Sequence, residues 1–205
     1  TLTTIGVNAF NSCSSLTSIN IPAGVTSIGE GAFYFCGAMA NIVVNPGNPN
    51  YSNSLNDGVL YNKNLNLLIQ CPAGKVGTFT IASSVTAIGS SAFHACSGLT
   101  SITIPAGVTT IGDYAFHSCT NLSSINALGN APTYGASSFT NVGATLYFFK
   151  GASGWTNPWG GLTTVARSVP TTTAFTSSAT TSVYGDSITL TLSLIHISEP
   201  TRPER

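Results

Sequence analysis

Ile88-Gly89-Ser90-Ser91-Ala92-Phe93-His94-Ala95-Cys96 recurs 23 residues later as Ile111-Gly112-Asp113-Tyr114-Ala115-Phe116-His117-Ser118-Cys119, and this pair of stretches decides the fold. The same Ile-Gly-x-x-Ala-Phe-x-x-Cys pattern starts at Ile5 and Ile28, again 23 residues apart. Self-similarity at a fixed period of 20–50 residues marks a solenoid, in which each turn buries its apolar side only against the next.

Between these motifs runs Leu-x-x-Ile-x-Ile-Pro, at Leu16 to Pro22 and Leu99 to Pro105, with Leu122 to Ala127 as a decayed copy. Strand alternation turns the Leu and both Ile inward and the x positions outward. Proline, lacking an N–H for the ladder, ends the strand. A second short strand is expected at Val-Thr-x-Ile, beginning at Val25, Val85 and Val108. The Gly after each Ile is expected to permit a sharp turn, and Ala-Phe to pack a small and a large side chain on the convex side. Phe10, Phe33, Phe93 and Phe116 then form one buried ladder.

With a period of 23 and regularly placed aliphatics, residues 1–166 are similar to a leucine-rich-repeat β-solenoid, and specifically resemble the BspA-type leucine-rich repeat family of bacterial surface proteins. Asn48-Pro49-Asn50-Tyr51, Asp57-Gly58-Val59-Leu60-Tyr61 and Pro72-Ala73-Gly74-Lys75 resemble a recurrent insertion of that family. Gly129-Asn130-Ala131-Pro132 and Gly154-Trp155 through Gly160-Gly161-Leu162 resemble its closing segment. The resemblance implies a mainly β, secreted or surface-anchored, non-catalytic recognition protein.

The second and third motifs lie 60 residues apart, and the excess of 37 is expected to leave the solenoid surface as an insertion over about 45–80. Within it, Val59-Leu60-Tyr61 and Leu67-Leu68-Ile69 read as a hairpin joined through Asn62 to Asn66, with a degenerate turn of the stack as the alternative. Residues 120–166 lose the 23-residue rhythm, and their Tyr147, Phe148, Phe149, Trp155 and Trp159 read as a C-terminal cap over the last turn. At the other end, Leu2 to Ile5 reads as the second strand of a turn whose first is missing, which makes Thr1 an artificial boundary. Residues 167–191 read as a linker and truncated opening of an Ig-like domain, with about two strands where a sandwich needs about seven. From Leu192 to Arg205 the sequence resembles a translated sequencing adapter, expected to carry no function and to pack on nothing.

Six Lys or Arg and six Asp or Glu make the chain 6% charged, against roughly 25% in an ordinary soluble domain. A nucleic-acid binder needs a basic stripe to displace phosphate counterions, so no nucleic-acid partner is expected. Although 42% of residues are hydrophobic, no apolar run approaches the roughly 18 residues that span a bilayer, and no membrane insertion is expected of this segment. Glu30, Asp57, Asp113 and Asp186 are scattered singly, whereas paired-acid hydrolysis needs two facing carboxyls. Gly-x-Ser-x-Gly, Walker and His-Glu-x-x-His motifs are missing from the sequence. An enzyme and a cofactor are therefore not expected.

Cys13, Cys36, Cys96 and Cys119 share one repeat position, where parallel side chains suit a buried ladder better than a disulfide's converging Cβ vectors. Cys71 falls outside that register. His94 and His117 share a register with Tyr34 and Asn11, and with Asp113 they supply too few ligands for zinc; solvated convex-face histidines are expected instead, with no metal. Asn53 to Gly58 superficially resembles a calcium loop but has Leu55 at a ligand position and Asn64 where a bidentate Glu belongs.

The candidate binding residues are the outward strand positions Thr17, Ser18, Asn20, Thr100, Ser101, Thr103, Ser123, Ser124 and Asn126. All are small and polar, without the Trp, Tyr and Arg that anchor protein interfaces. An extracellular protein or glycan would be held weakly, nearly independently of salt, and through avidity. The competing reading is a structural spacer in a larger secreted or surface protein.

Overall fold

The structure, a computed structural model, describes residues 2–53 and 55–168 and the strands at 174–177 and 190–193. Its described elements are all strands. The N-terminal half contributes β1 (Thr4–Ile5), β2 (Ser18–Ile21), β3 (Ser27–Ile28) and β4 (Asn41–Val44). The inserted region holds β5 (Tyr51–Ser52), β6 (Leu60–Asn62), β7 (Leu67–Gln70) and β8 (Gly77–Thr80). β9 (Ala87–Ile88), β10 (Leu99–Ile104), β11 (Thr110–Ile111), β12 (Ser124–Ala127), β13 (Thr133–Tyr134), β14 (Thr145–Phe149) and β15 (Thr163–Arg167) complete the first compact unit, residues 1–167. In the second unit, β16 (Ala174–Ser177) pairs antiparallel with β17 (Leu190–Ser193). That pairing includes Leu192 and Ser193, so strand structure runs two residues past the boundary drawn at 192. The rest of the Ig-like segment and the tail lie outside the described residues.

The first unit is a β-solenoid with two strand columns. The longer strands stack in parallel as β2-β4 and as β8-β10-β12-β14-β15. The shorter ones form β1-β3 and the mixed sheet β5-β6-β7-β9-β11-β13. Between short and long strands, each convex segment is a run of tight turns with alternating hydrogen bonds. One N–H bonds locally, as in His94 to Ser91 (2.9 Å) and Cys96 to Phe93 (3.1 Å). The next reaches the following turn, as in Phe93 to the Ala115 carbonyl (2.7 Å) and Ala95 to that of His117 (2.9 Å). These bonds satisfy main-chain polar groups of the convex segments, in which no helix forms among the described residues. The geometry places two residues of each convex segment at positive φ, such as Ser91 (56°) and Ala95 (55°), or Tyr114 (55°) and Ser118 (60°).

Two of the four motif glycines act differently from the sequence expectation. Gly29 and Gly112 do not have positive φ; a Cβ on either would collide with the backbone of Val7 or Ser90 in the preceding turn. Close approach between turns requires them.

Phe33, Phe93 and Phe116 are buried and Phe10 is half-buried. Phe10 stacks on Phe33 at 5.9 Å, and Phe93 on Phe116 at 4.9 Å. Phe139 extends the second column at 5.4 Å. The 23-residue rhythm therefore persists past 120. β13 pairs with β11 at that offset, and Tyr134, Ser138 and Val142 stand where Ile, Ala and Cys stand elsewhere. Only afterwards does the step shorten, with Ser124 opposite Thr145 and Thr145 opposite Thr163. Trp159, buried against Phe139 (5.3 Å) and Trp155 (4.8 Å), then closes the core with Phe148.

The insertion is incorporated into the stack rather than expelled from it. Val59, Leu60, Tyr61, Leu68 and Cys71 are fully buried. β6 and β7 form the expected hairpin, and β7 joins β9 in parallel, so the segment supplies the degenerate turn. Asn48 anchors it: its Nδ2 donates to the Pro22 and Val25 carbonyls (2.9 Å each), while Oδ1 accepts from the N–H groups of Asn50 (2.9 Å) and Tyr51 (2.8 Å). The apolar interior divides here into one cluster running from Ile5 to Leu60 and a larger one from Val59 to Leu162.

Candidate functional site

The outward positions of the long strands assemble by register into columns. Thr78, Ser101, Ser124, Thr145 and Thr163 form one; Thr80, Thr103, Asn126, Tyr147 and Val165 form the next. Parallel strands bring successive members within about 4.8 Å. Of the predicted residues, Ser101, Thr103, Ser124 and Asn126 lie within this continuous five-stranded face, with Thr100 and Ser123 at its margin. Ser18 and Asn20 belong to the separate β2-β4 sheet, with Thr17 just before it. The nine are therefore divided between two sheets.

Several of these hydroxyls are already engaged. Ser123 Oγ donates to the Thr100 carbonyl at 3.1 Å. Asn126 Nδ2 lies 3.4 Å from the Ser101 and Ser124 hydroxyls, and its Oδ1 accepts from Arg167 Nη1 at 3.0 Å. Arg167 Cζ also lies over the Tyr147 ring, 3.6 Å from its centroid. Tyr147, Phe149 and Arg167 thus bring to this face the aromatic and guanidinium groups that the nine candidates lack. Alternation in Thr145-Leu146-Tyr147-Phe148-Phe149 carries the missed signal. Leu146, opposite Ile125, and Phe148, opposite Ala127, continue the inward column, which leaves Tyr147 and Phe149 on the other side.

The convex face resolves the remaining candidates. His94 and His117 are half-buried rather than solvated, stacked at 5.1 Å with planes 4° apart. Tyr34 covers the other face of His94 at 4.7 Å. Burial, then the neighbouring His117, lowers the His94 pKa. Face-to-face imidazoles point their in-plane nitrogens in parallel rather than toward one ion. Asp113 Oδ1 accepts from the Ala136 N–H at 2.7 Å. Among the described residues no group of three metal-ligating side chains converges. In the discounted calcium loop, Asp57 instead accepts from Tyr61 Oη (2.5 Å) and the Val59 N–H (2.9 Å), and Asn53 braces Val44 and Ile42.

All five cysteines are free; Cys13 is exposed and the others buried. Cys36 donates to the Phe10 carbonyl and Cys119 to that of Phe93, both at 3.0 Å. Cys96 meets the Cys71 and Pro72 carbonyls at 3.8 and 3.9 Å instead. Cys71 is thereby placed: it replaces the missing convex segment beneath Cys96. Burial raises the thiol pKa of Cys36 and Cys119, leaving them poor nucleophiles.

Comparison with known proteins agrees with this architecture. A leucine-rich repeat protein from Eubacterium ventriosum is 30% identical, with a TM-score of 0.52 over 72% of this chain and 46% of its own. A leucine-rich cell surface protein from Faecalibacterium prausnitzii is 25% identical, with a TM-score of 0.51 over 74% and 46%. The pneumococcal vaccine antigen PcpA, 19% identical with a TM-score of 0.56 over 72% and 42%, shares the fold. The chain spans less than half the length of each of these solved relatives. A search of curated proteins gave no match. The model of the BspA-type leucine-rich repeat region matches in six copies over residues 1–69 and 71–149, the region that holds the ladders of Phe, Cys and inward Ile. The chain belongs to the BspA-type leucine-rich repeat family.

Proposed function

We propose that the chain is a non-catalytic recognition module, extracellular or on the cell surface, which binds an extracellular protein or glycan through the face formed by β8, β10, β12, β14 and β15. The observation that carries this reading is the in-register array of hydroxyl and amide side chains centred on Ser101, Thr103, Ser124 and Asn126. Each neutral hydrogen bond adds only about 0.5–1.5 kcal/mol before ordering costs. One module therefore binds weakly, and many copies bind by avidity. The cell-surface description of the F. prausnitzii relative supports the location. Among the described residues no helix is long and apolar enough to cross a membrane.

A spacer role is the second reading, favoured by a specific pattern. Thr26, Thr86, Thr109 and Thr133 each hold a side-chain hydroxyl 3.3–3.4 Å from a carbonyl of the preceding turn. On that column threonine staples the stack. On either reading the threonine-rich segment after Arg167 opens an Ig-like module, and 192–205 is adapter-derived sequence.

The test immobilises host-matrix proteins and bacterial glycans and measures binding of the full chain as monomer and multimer. The recognition reading expects multimer-dependent retention that Thr103→Lys with Ser124→Lys abolishes. Retention unchanged by that pair removes this face from the function, and no retention on any surface favours the spacer.

A further inference from the structure

At the C-terminal end of the same face the polar array gives way to a shallow cavity of about 230 Å³, bordered by Thr103, Asn126, Leu128, Tyr147, Phe149 and Arg167. Three features set it apart from the rest of the face. Its cation is held in place: Arg167 is exposed, yet its guanidinium is fixed from below by the Tyr147 ring at 3.6 Å and from the side by Asn126 Oδ1 at 3.0 Å. A side chain with so many rotamers ordinarily loses conformational freedom on binding, and here that cost is met before any ligand arrives. Among the described residues no acidic side chain borders the cavity. Apolar surface also lies beside the charge: Leu128 is 46% and Val165 40% exposed, and Phe149 is half-buried.

The geometry points to this cavity as the site for a carboxylate-bearing sugar of the uronic acid type, an assignment that rests on the recognition reading and gives it a substrate class. A guanidinium presents several N–H donors in one plane, and only Nη1 is engaged by Asn126, so the fork retains donors for a carboxylate. The Thr103 hydroxyl and Asn126 amide suit ring hydroxyls, while Leu128 and Phe149 suit the C–H face of a pyranose. The volume is below that of a typical drug-sized pocket and fits one ring with its carboxylate rather than a folded protein surface. Where the Ser and Thr columns bind without regard to salt, this end binds through one charge and weakens as ionic strength rises.

The experiment titrates the full chain with methyl β-glucuronide and methyl β-glucoside, which differ only at the C6 carboxylate, and follows both by ligand-observed NMR. The glucuronide is expected to bind in the millimolar range and the glucoside about tenfold or more weaker. Arg167→Gln is expected to erase that preference. Arg167→Lys, which keeps the charge but not the planar guanidinium fork, should retain part of it. Circular dichroism and Tm check that both variants fold. Equal binding of the two sugars, or a preference untouched by Arg167→Gln, overturns the site. N-acetyl-glutamic acid amide bound as tightly as the glucuronide overturns the sugar assignment in favour of a bare carboxylate or acidic peptide. If neither sugar binds while Thr103→Lys with Ser124→Lys still abolishes surface retention, the cavity proposal fails and the recognition reading stands. If retention is also missing, both fail.

Discussion

The turns before and after the insertion carry the same motif and reach different degrees of order. Before it, Phe10 and Phe33 stack at 5.9 Å with Phe10 half-exposed, and the sheets β1-β3 and β2-β4 have two strands each. After it, Phe93, Phe116 and Phe139 stack at 4.9 and 5.4 Å beneath five- and six-stranded sheets, with Trp159 covering the end. A repeat does not carry its stability within its own sequence; its neighbours supply the other half of each contact.

The sharpest challenge to that contrast is deletion of the same ring in both halves. Phe116→Ala should cost about 3–5 kcal/mol, because both ring faces and the rim lose contacts. Phe10→Ala should cost about 1 kcal/mol, as part of that ring already meets water. Urea denaturation measures both, and equal costs would erase the distinction.

Next in size, Asn48→Ala strips two carbonyl acceptors and two N–H donors of their partners, one of the carbonyl bonds being fully buried. A loss of about 2–3 kcal/mol is expected. Hydrogen exchange should show it first in residues 2–52, while 88–162 keep their protection. Uniform loss across the chain would mean that the two apolar clusters unfold as one.

A smaller effect is pH-dependent. His94 has its pKa lowered in the fold by burial and by His117, so the unfolded chain takes up that proton first. Stability from this site is present above the ordinary histidine pKa of about 6.5 and declines as pH falls through it. His94→Tyr, which copies Tyr34 at the equivalent position, should flatten that decline in Tm measured between pH 5 and 8. An unchanged slope would assign the decline to another group.

Smallest of all, Ala95→Gly should stabilise by up to about 1 kcal/mol, since φ of 55° strains a residue with a Cβ. Thermal unfolding decides the sign, and destabilisation would show that the methyl group's packing outweighs the strain.

Most of the stack was legible because periodicity repeats the same physical demand. Phe93, Phe116 and the inward Ile residues stand wherever a turn must cover the one before it. Two features escaped and a third was left between alternatives. Gly112 looks like a turn residue in sequence, but Ser90, from the turn before, is what excludes its Cβ, and no local pattern contains that neighbour. Phe139 was hidden because Tyr134, Ser138 and Val142 replace the motif around it while preserving its shape. For the insertion, length alone left two readings, an excursion from the surface and a degenerate turn, and the burial of Tyr61 and Leu68 decides for the turn. At the candidate site the hydroxyl columns could be read from alternation. Arg167 could not be placed, because it meets Asn126 only across shortened turns of 21 and 18 residues, outside the repeat.

The junction at Asn48 has a mechanical consequence. Other turns meet along the short-strand side through main-chain ladders, as β9 meets β11 and β11 meets β13. Between β3 and the insertion the load passes instead through side chains: Asn48 to Pro22 and Val25, Asn50 to Thr26. On the convex side the Ala92 carbonyl, the partner that periodicity would give the Phe33 N–H, accepts from Cys71. Main-chain bonds cross this joint only at scattered points, from Ile42 to Gly58 and from Gly74 to Met39 (2.8 Å each), so within residues 1–167 it is expected to be the softest coupling between the two stacks. Tension along the stack is expected to open that joint before it disturbs the register of Ser101, Thr103 and Asn126 on the five-stranded face.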